Sequence, residues 1–162
     1  MAASKVREMF EKGTDAFNRH DIEGLAETMA DDVQSRASGV GELRGKQAVK
    51  GFYQGYLDAF PDGRVEITRV TITDDTAFEE GVFTGTHRAT LRGPAGEIPA
   101  TGRSVRVDYI QVVRFRGDRA STFHLVFDRM QMLEQLGLAP GAQAEAGMGR
   151  AGGKEAPGVQ PH

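Results

Sequence analysis

The chain contains no cysteine, which excludes disulfides, thiolate nucleophiles and cysteine-ligated metals. No apolar stretch approaches the ~18 residues that a membrane-crossing helix needs. The opening MAASKVREMFEKG lacks the apolar segment of a secretion signal, so a cytoplasmic location is the expectation. Charge of one sign is scarce too: 20 basic and 23 acidic residues leave a formal net charge of -3, and neither sign gathers in a block. Neither nucleic acid nor membrane is an expected partner. The four histidines are scattered and no carboxylate or His/Glu cluster stands at ligand spacing, so no metal site is expected.

What is present is a chain of 162 residues, 39% hydrophobic and 27% charged, enough for one domain with a real core. Residues 1–140 read as that domain. Residues 141–162 are rich in Gly, Ala and Pro and lack periodicity, so they read as a tail expected to be disordered. Val6, Met9, Phe10, Gly13 and Phe17 recur at helical spacing. Asp21 is a good N-cap for a second helix carrying Ile22, Leu25 and Met29, and a third is expected from about Gly45 to Phe60. Three helices would then fill the first 60 residues.

After Gly63 the period becomes 2, predicting strands near 65–72, 77–91, 104–116 and 119–127. Asp74-Asp75 and Arg116-Gly117-Asp118 have the composition of tight turns. The predicted class is α+β, with the helices on one face of a curved antiparallel sheet. The segment from Arg92 to Gly102 (RGPAGEIPATG) fits no regular pattern and reads as a loop, either an ordinary exposed hairpin loop or a mobile gate near a cavity mouth.

Seven short landmarks, Ala16-Phe17-Asn18, Asp31-Asp32-Val33, Leu43-Arg44-Gly45, Phe60-Pro61-Asp62, Gly85-Thr86-His87, Thr101-Gly102-Arg103 and Glu134-Gln135-Leu136-Gly137, occur in an order that resembles the SnoaL-like polyketide cyclase family of the nuclear transport factor 2-like superfamily. The resemblance implies a cone-shaped, half-open α+β barrel around a deep pocket, assembled as an oligomer, here a homodimer. It also implies ring closure of a hydrophobic polyketide of secondary metabolism by intramolecular aldol chemistry, with no cofactor. An acid/base Asp on the last strand and polar partners on the strand before it would do the work.

On the strand from Ser104 to Arg116, alternation places Val105, Val107, Tyr109, Gln111, Val113 and Phe115 on the inner face. The resemblance puts its paired polar positions at Tyr109 and Gln111, and its aspartate at or next to Leu125, where leucine cannot act as acid or base. Asp128 is a replacement candidate, but with Gln131 three residues later it also has the form of a helix cap. His87 shares a face with Phe83 and is the fourth catalytic candidate, whereas His124 alternates with the outward set. Phe17, Phe52, Tyr53 and Tyr56 are either plain core or ligand wall. The expected substrate wall is Phe17, Phe52, Tyr56, Phe83, Phe123 and Leu125. Three functions remain open: aldol cyclisation with a relocated acid/base, shape-driven pericyclic cyclisation in an apolar cavity, and a non-catalytic binding or oxygenase-accessory module.

Overall fold

The computed structural model describes residues 2–93 and 96–138; the expected tail lies outside the described residues. Helix α1 (Ala2–Asn18) buries Val6, Met9, Phe10, Ala16 and Phe17 on the stripe that the sequence predicts. The Asn18 amide then brackets Val65, donating to its carbonyl at 3.0 Å and accepting from its N–H at 2.8 Å. Helix α2 (Ile22–Glu27) starts as expected, with Asp21 accepting from the Gly24 N–H at 2.9 Å.

The expectation that helices alone fill the first 60 residues is corrected here. Met29 leaves the helix and opens strand β1 (Met29–Ala37), which turns into β2 (Gly41–Arg44) before helix α3 (Lys46–Ala59). The sequence of β1, MADDVQSRA, hides its alternation because Met29 falls in phase with the preceding helix and Asp31-Asp32 interrupts the apolar set. Strand β3 (Arg64–Ile72) follows, then β4 (Thr76–Thr86). The predicted 77–91 strand ends at Thr86, where Asp62 accepts both the N–H and the hydroxyl of Thr86, at 2.7 and 2.8 Å. The Arg92–Gly102 segment is irregular only in part: residues 99–102 have no regular structure, whereas residues 92–93 and 96–98 are strand. It contributes to a hairpin of β5 (Leu91–Gly93) and β6 (Gly96–Ile98).

Strands β7 (Ser104–Arg116) and β8 (Arg119–Phe127) form the central pair, and helix α4 (Arg129–Gln135) ends the described chain. The main sheet is six-stranded, ordered β2-β1-β8-β7-β4-β3, antiparallel except where β1 runs parallel to β8. It curves without closing, and α1, α2 and α3 pack with its concave face in one apolar cluster. A second cluster joins the end of α3, Leu91, Val105, Val107 and the buried Met132 and Leu136 beyond β8. No helix among the described residues is long and apolar enough to cross a membrane.

Candidate active site

Between the helices and the concave face lies a cavity of about 130 Å³, far above the ~10–15 Å³ that one water requires on a comparable measure. Phe17, Phe52, Tyr56, Phe83, Phe123 and Leu125 all line it. The aromatic rings brace one another edge to face: Phe17 on Tyr53 at 6.1 Å, Tyr53 on Phe123 at 5.9 Å and Tyr56 on Phe83 at 6.0 Å. Pairs of this kind add about 0.5–1.5 kcal/mol each beyond area burial, which makes the wall stiff as well as apolar.

Besides Thr14 and Thr28, one hydrogen-bonded cluster of polar side chains interrupts that wall. Strand alternation turns Tyr109 and Gln111 of β7 inward and Arg106, Asp108 and Ile110 outward. Both inward groups converge on Glu79 of β4, a residue that sequence reasoning missed. The Gln111 Nε2 donates to Glu79 Oε1 at 2.7 Å and the Tyr109 hydroxyl donates to Glu79 Oε2 at 2.9 Å. From α3, the Tyr53 hydroxyl donates to Gln111 Oε1 at 2.8 Å, fixing which edge of the amide faces Glu79. Glu79 is 4% exposed and, among the described residues, is the one carboxyl group that lines the cavity, with no Lys, Arg or His beside it.

Burial pushes the Glu79 carboxyl above its usual range, opposed by the hydrogen bonds from Gln111 and Tyr109. Burial, then the Glu79 charge, raises Tyr53 and Tyr109 so far that both phenols stay protonated and act as donors. Burial also pushes Tyr56 up to about 12.

Local sequence makes this geometry possible. Gly81 pairs with Tyr109 across the sheet, and a Cβ at position 81 would lie 2.5 Å from the Tyr109 hydroxyl. The absent side chain lets the phenol lie over β4 and reach Glu79. Glu79, Gln111 and Leu125 stand opposite one another on three neighbouring strands. A signal for Glu79 existed in its alternation with Ala77, Gly81 and Phe83. It was masked because Phe78 and Val82, on the opposite parity, are apolar too.

Two catalytic candidates are not brought to the cavity, which corrects their placement. Asp128 is exposed and caps α4, accepting from the Gln131 N–H at 3.0 Å. His87 is fully buried outside the cavity wall, stacked on Phe60 at 5.2 Å, with Nδ1 accepting from the Thr101 N–H at 3.3 Å. Burial lowers its pKa, so the ring is held neutral, and its Nε2 has no partner among the described residues. His124 points outward, as alternation requires, with Nδ1 3.2 Å from Arg36. No cluster able to hold a metal occurs among the described residues.

The SnoaL-like domain matches residues 6–122. None of the curated proteins matches the sequence. Among solved structures, AclR, a candidate hydroxylase from Streptomyces galilaeus, superposes with a TM-score of 0.72 at 21% identity, covering 86% of this chain and 100% of that one. IdmH, a candidate polyketide cyclase from Streptomyces antibioticus, gives 0.67 at 26% identity, covering 81% of this chain and 97% of that one. TsrD from Streptomyces laurentii gives 0.71 at 19% identity, covering 83% and 96%.

Proposed function

Because the chain belongs to the SnoaL-like domain family, we propose that it is a cofactor-independent cyclase that folds a hydrophobic polyketide toward ring closure. The observation that carries this reading is the largely apolar cavity with one hydrogen-bonded cluster around a buried carboxyl group, Glu79 with Gln111, Tyr109 and Tyr53. An apolar wall selects a compact conformer of a flexible chain, bringing distant carbons into contact and removing the entropic part of the barrier. The Gln111 amide uses one N–H on Glu79 and keeps its second for a substrate carbonyl. Likeness to a candidate polyketide cyclase supports the same direction.

The buried Glu79 carboxyl on the cavity wall supports acid/base cyclisation over purely shape-driven closure. The experiment is incubation with a linear aromatic polyketide ketone, following ring closure by absorbance. Wild type is expected to turn over, and Gln111→Ala to slow turnover by at least tenfold while still binding. Saturable binding without any turnover sinks the cyclase reading and favours a binding module.

We also propose that the convex face of the sheet carries a homodimer contact. Phe78, Ile110 and Val126 are 45%, 53% and 49% exposed there and form one apolar patch with Val112. Arg114 lies at one end of it and Asp108 at the other, neither with an ion-pair partner among the described residues. A patch bearing opposite charges at its two ends is complementary to its own copy under a two-fold axis running across the strands.

A further inference from the structure

We propose that Glu79 is the general base of this site and that its substrate is a neutral ketone with an acidic C–H next to the carbonyl. The inference rests on the cyclisation reading and deepens it.

A buried carboxylate normally costs several kcal/mol, so a fold keeps one only with partners or a task. The partners here are incomplete. Each Glu79 oxygen accepts one hydrogen bond, from Gln111 or from Tyr109, although a carboxylate oxygen offers two lone pairs. Among the described residues no cation lines the cavity to neutralise the group. Glu79 is therefore held in place and partly desolvated, yet free to accept a proton. The same absence of cations defines the substrate: a carboxylate or phosphate would face the Glu79 charge with nothing to offset it, whereas a neutral ketone would not.

Position supports the assignment. Glu79 and Leu125 flank Gln111 on either side in one cross-strand row, about 10 Å apart at ~4.8 Å per strand, so the Gln111 amide and the Glu79 carboxyl are direct cross-strand neighbours. A ketone oxygen on the free Gln111 N–H can therefore present its neighbouring carbon to Glu79.

In the step, Glu79 takes a proton from the carbon beside the carbonyl. The C–H electron pair becomes the enolate double bond, and the carbonyl π pair moves to oxygen, which the Gln111 N–H holds. The enolate carbon attacks a second carbonyl of the same chain, forming the new C–C bond, and Glu79 returns its proton to the resulting alkoxide. The substrate is isomerised, the carboxylate is regenerated, and no co-reactant is consumed.

The test uses β-tetralone, a neutral bicyclic ketone, with the full chain in heavy water. Deuterium uptake beside the carbonyl is followed by proton NMR, and binding by equilibrium dialysis. Wild type is expected to bind the ketone and to accelerate exchange, with a rate that rises with pH and levels off as Glu79 ionises. Glu79→Gln is expected to lose about 10²–10⁴-fold in exchange, the usual contribution of a positioned base, while Kd changes by less than about threefold. Four outcomes overturn the assignment: exchange undiminished in the variant, exchange and binding lost together, wild type that binds without accelerating exchange, or wild type that neither binds nor exchanges. The third leaves the hydrophobic-substrate reading standing, whereas the fourth ends both.

Discussion

Glu79 is where two opposed effects meet in one side chain, and their balance is measurable apart from any activity. Burial favours the neutral acid, while the donors Gln111 and Tyr109 favour the anion, and burial prevails. A raised pKa means that the folded chain keeps this proton to higher pH than the unfolded chain does. Stability should consequently fall as pH climbs from the ordinary carboxylate range through the raised value. Glu79→Gln removes that slope. The variant is expected to melt close to wild type below about pH 4, where both states of wild type carry the proton, and above wild type at neutral and higher pH. Thermal melts by circular dichroism across this range decide the matter. If wild type instead gains on the variant as pH rises, the hydrogen bonds outweigh burial and the carboxyl is depressed.

Elements of this fold were legible in proportion to how one-sided they are. Helices α1 and α3 and strands β7 and β8 each bury one face, and their periods of 3.6 and 2 show directly in the residues. Tyr109, Gln111 and the six expected wall residues, read from the same periods and from Phe83 on β4, do line the cavity. Strand β4 was legible as a strand but not as a site, because Phe78 and Val82 make its outer face nearly as apolar as the inner one and conceal that Glu79 turns inward. Strands β1 and β2 and the β5–β6 hairpin were missed for a different reason. They are short or broken by charge, and they exist through pairing and packing rather than intrinsic preference. The hairpin shows this most clearly: buried Leu91 anchors it to the second apolar cluster, and the Arg92 carbonyl lies against Gly55 of α3, 2.7 Å from where a Cβ would stand. An interior helical glycine changed to alanine ordinarily gains about 1 kcal/mol. Gly55→Ala is expected to do the reverse and lower Tm, because the backbone of β5 must move to admit the methyl group. A rise in Tm of several degrees would show that the hairpin yields freely and is not seated on the helix.

At the scale of the whole molecule, a single curved sheet has to serve two surfaces, and its two faces have divided the work. The concave face turns Val113, Phe123, Tyr109 and Glu79 toward the helices and the cavity. The convex face is left with Phe78, Ile110, Val112 and Val126 in solvent and no helix among the described residues to cover them. An apolar patch of this kind on a sheet invites association, and in the proposed dimer the opposite charges at its ends would set the geometry. Asp108 and Arg114 are six residues apart on β7, about 20 Å at ~3.4 Å per residue, so a two-fold axis across the strands sets each against its opposite in the second copy. Sedimentation of wild type is accordingly expected to give twice the chain mass. Ile110→Glu, in the middle of the patch, should give a folded monomer whose cavity still binds ketone, since its side chain points away from Glu79. Asp108→Arg and Arg114→Asp should each weaken the dimer and together restore it, because the pair then matches again with its signs exchanged. A wild type that sediments as a monomer, or a double variant no tighter than either single one, removes the convex face as the contact.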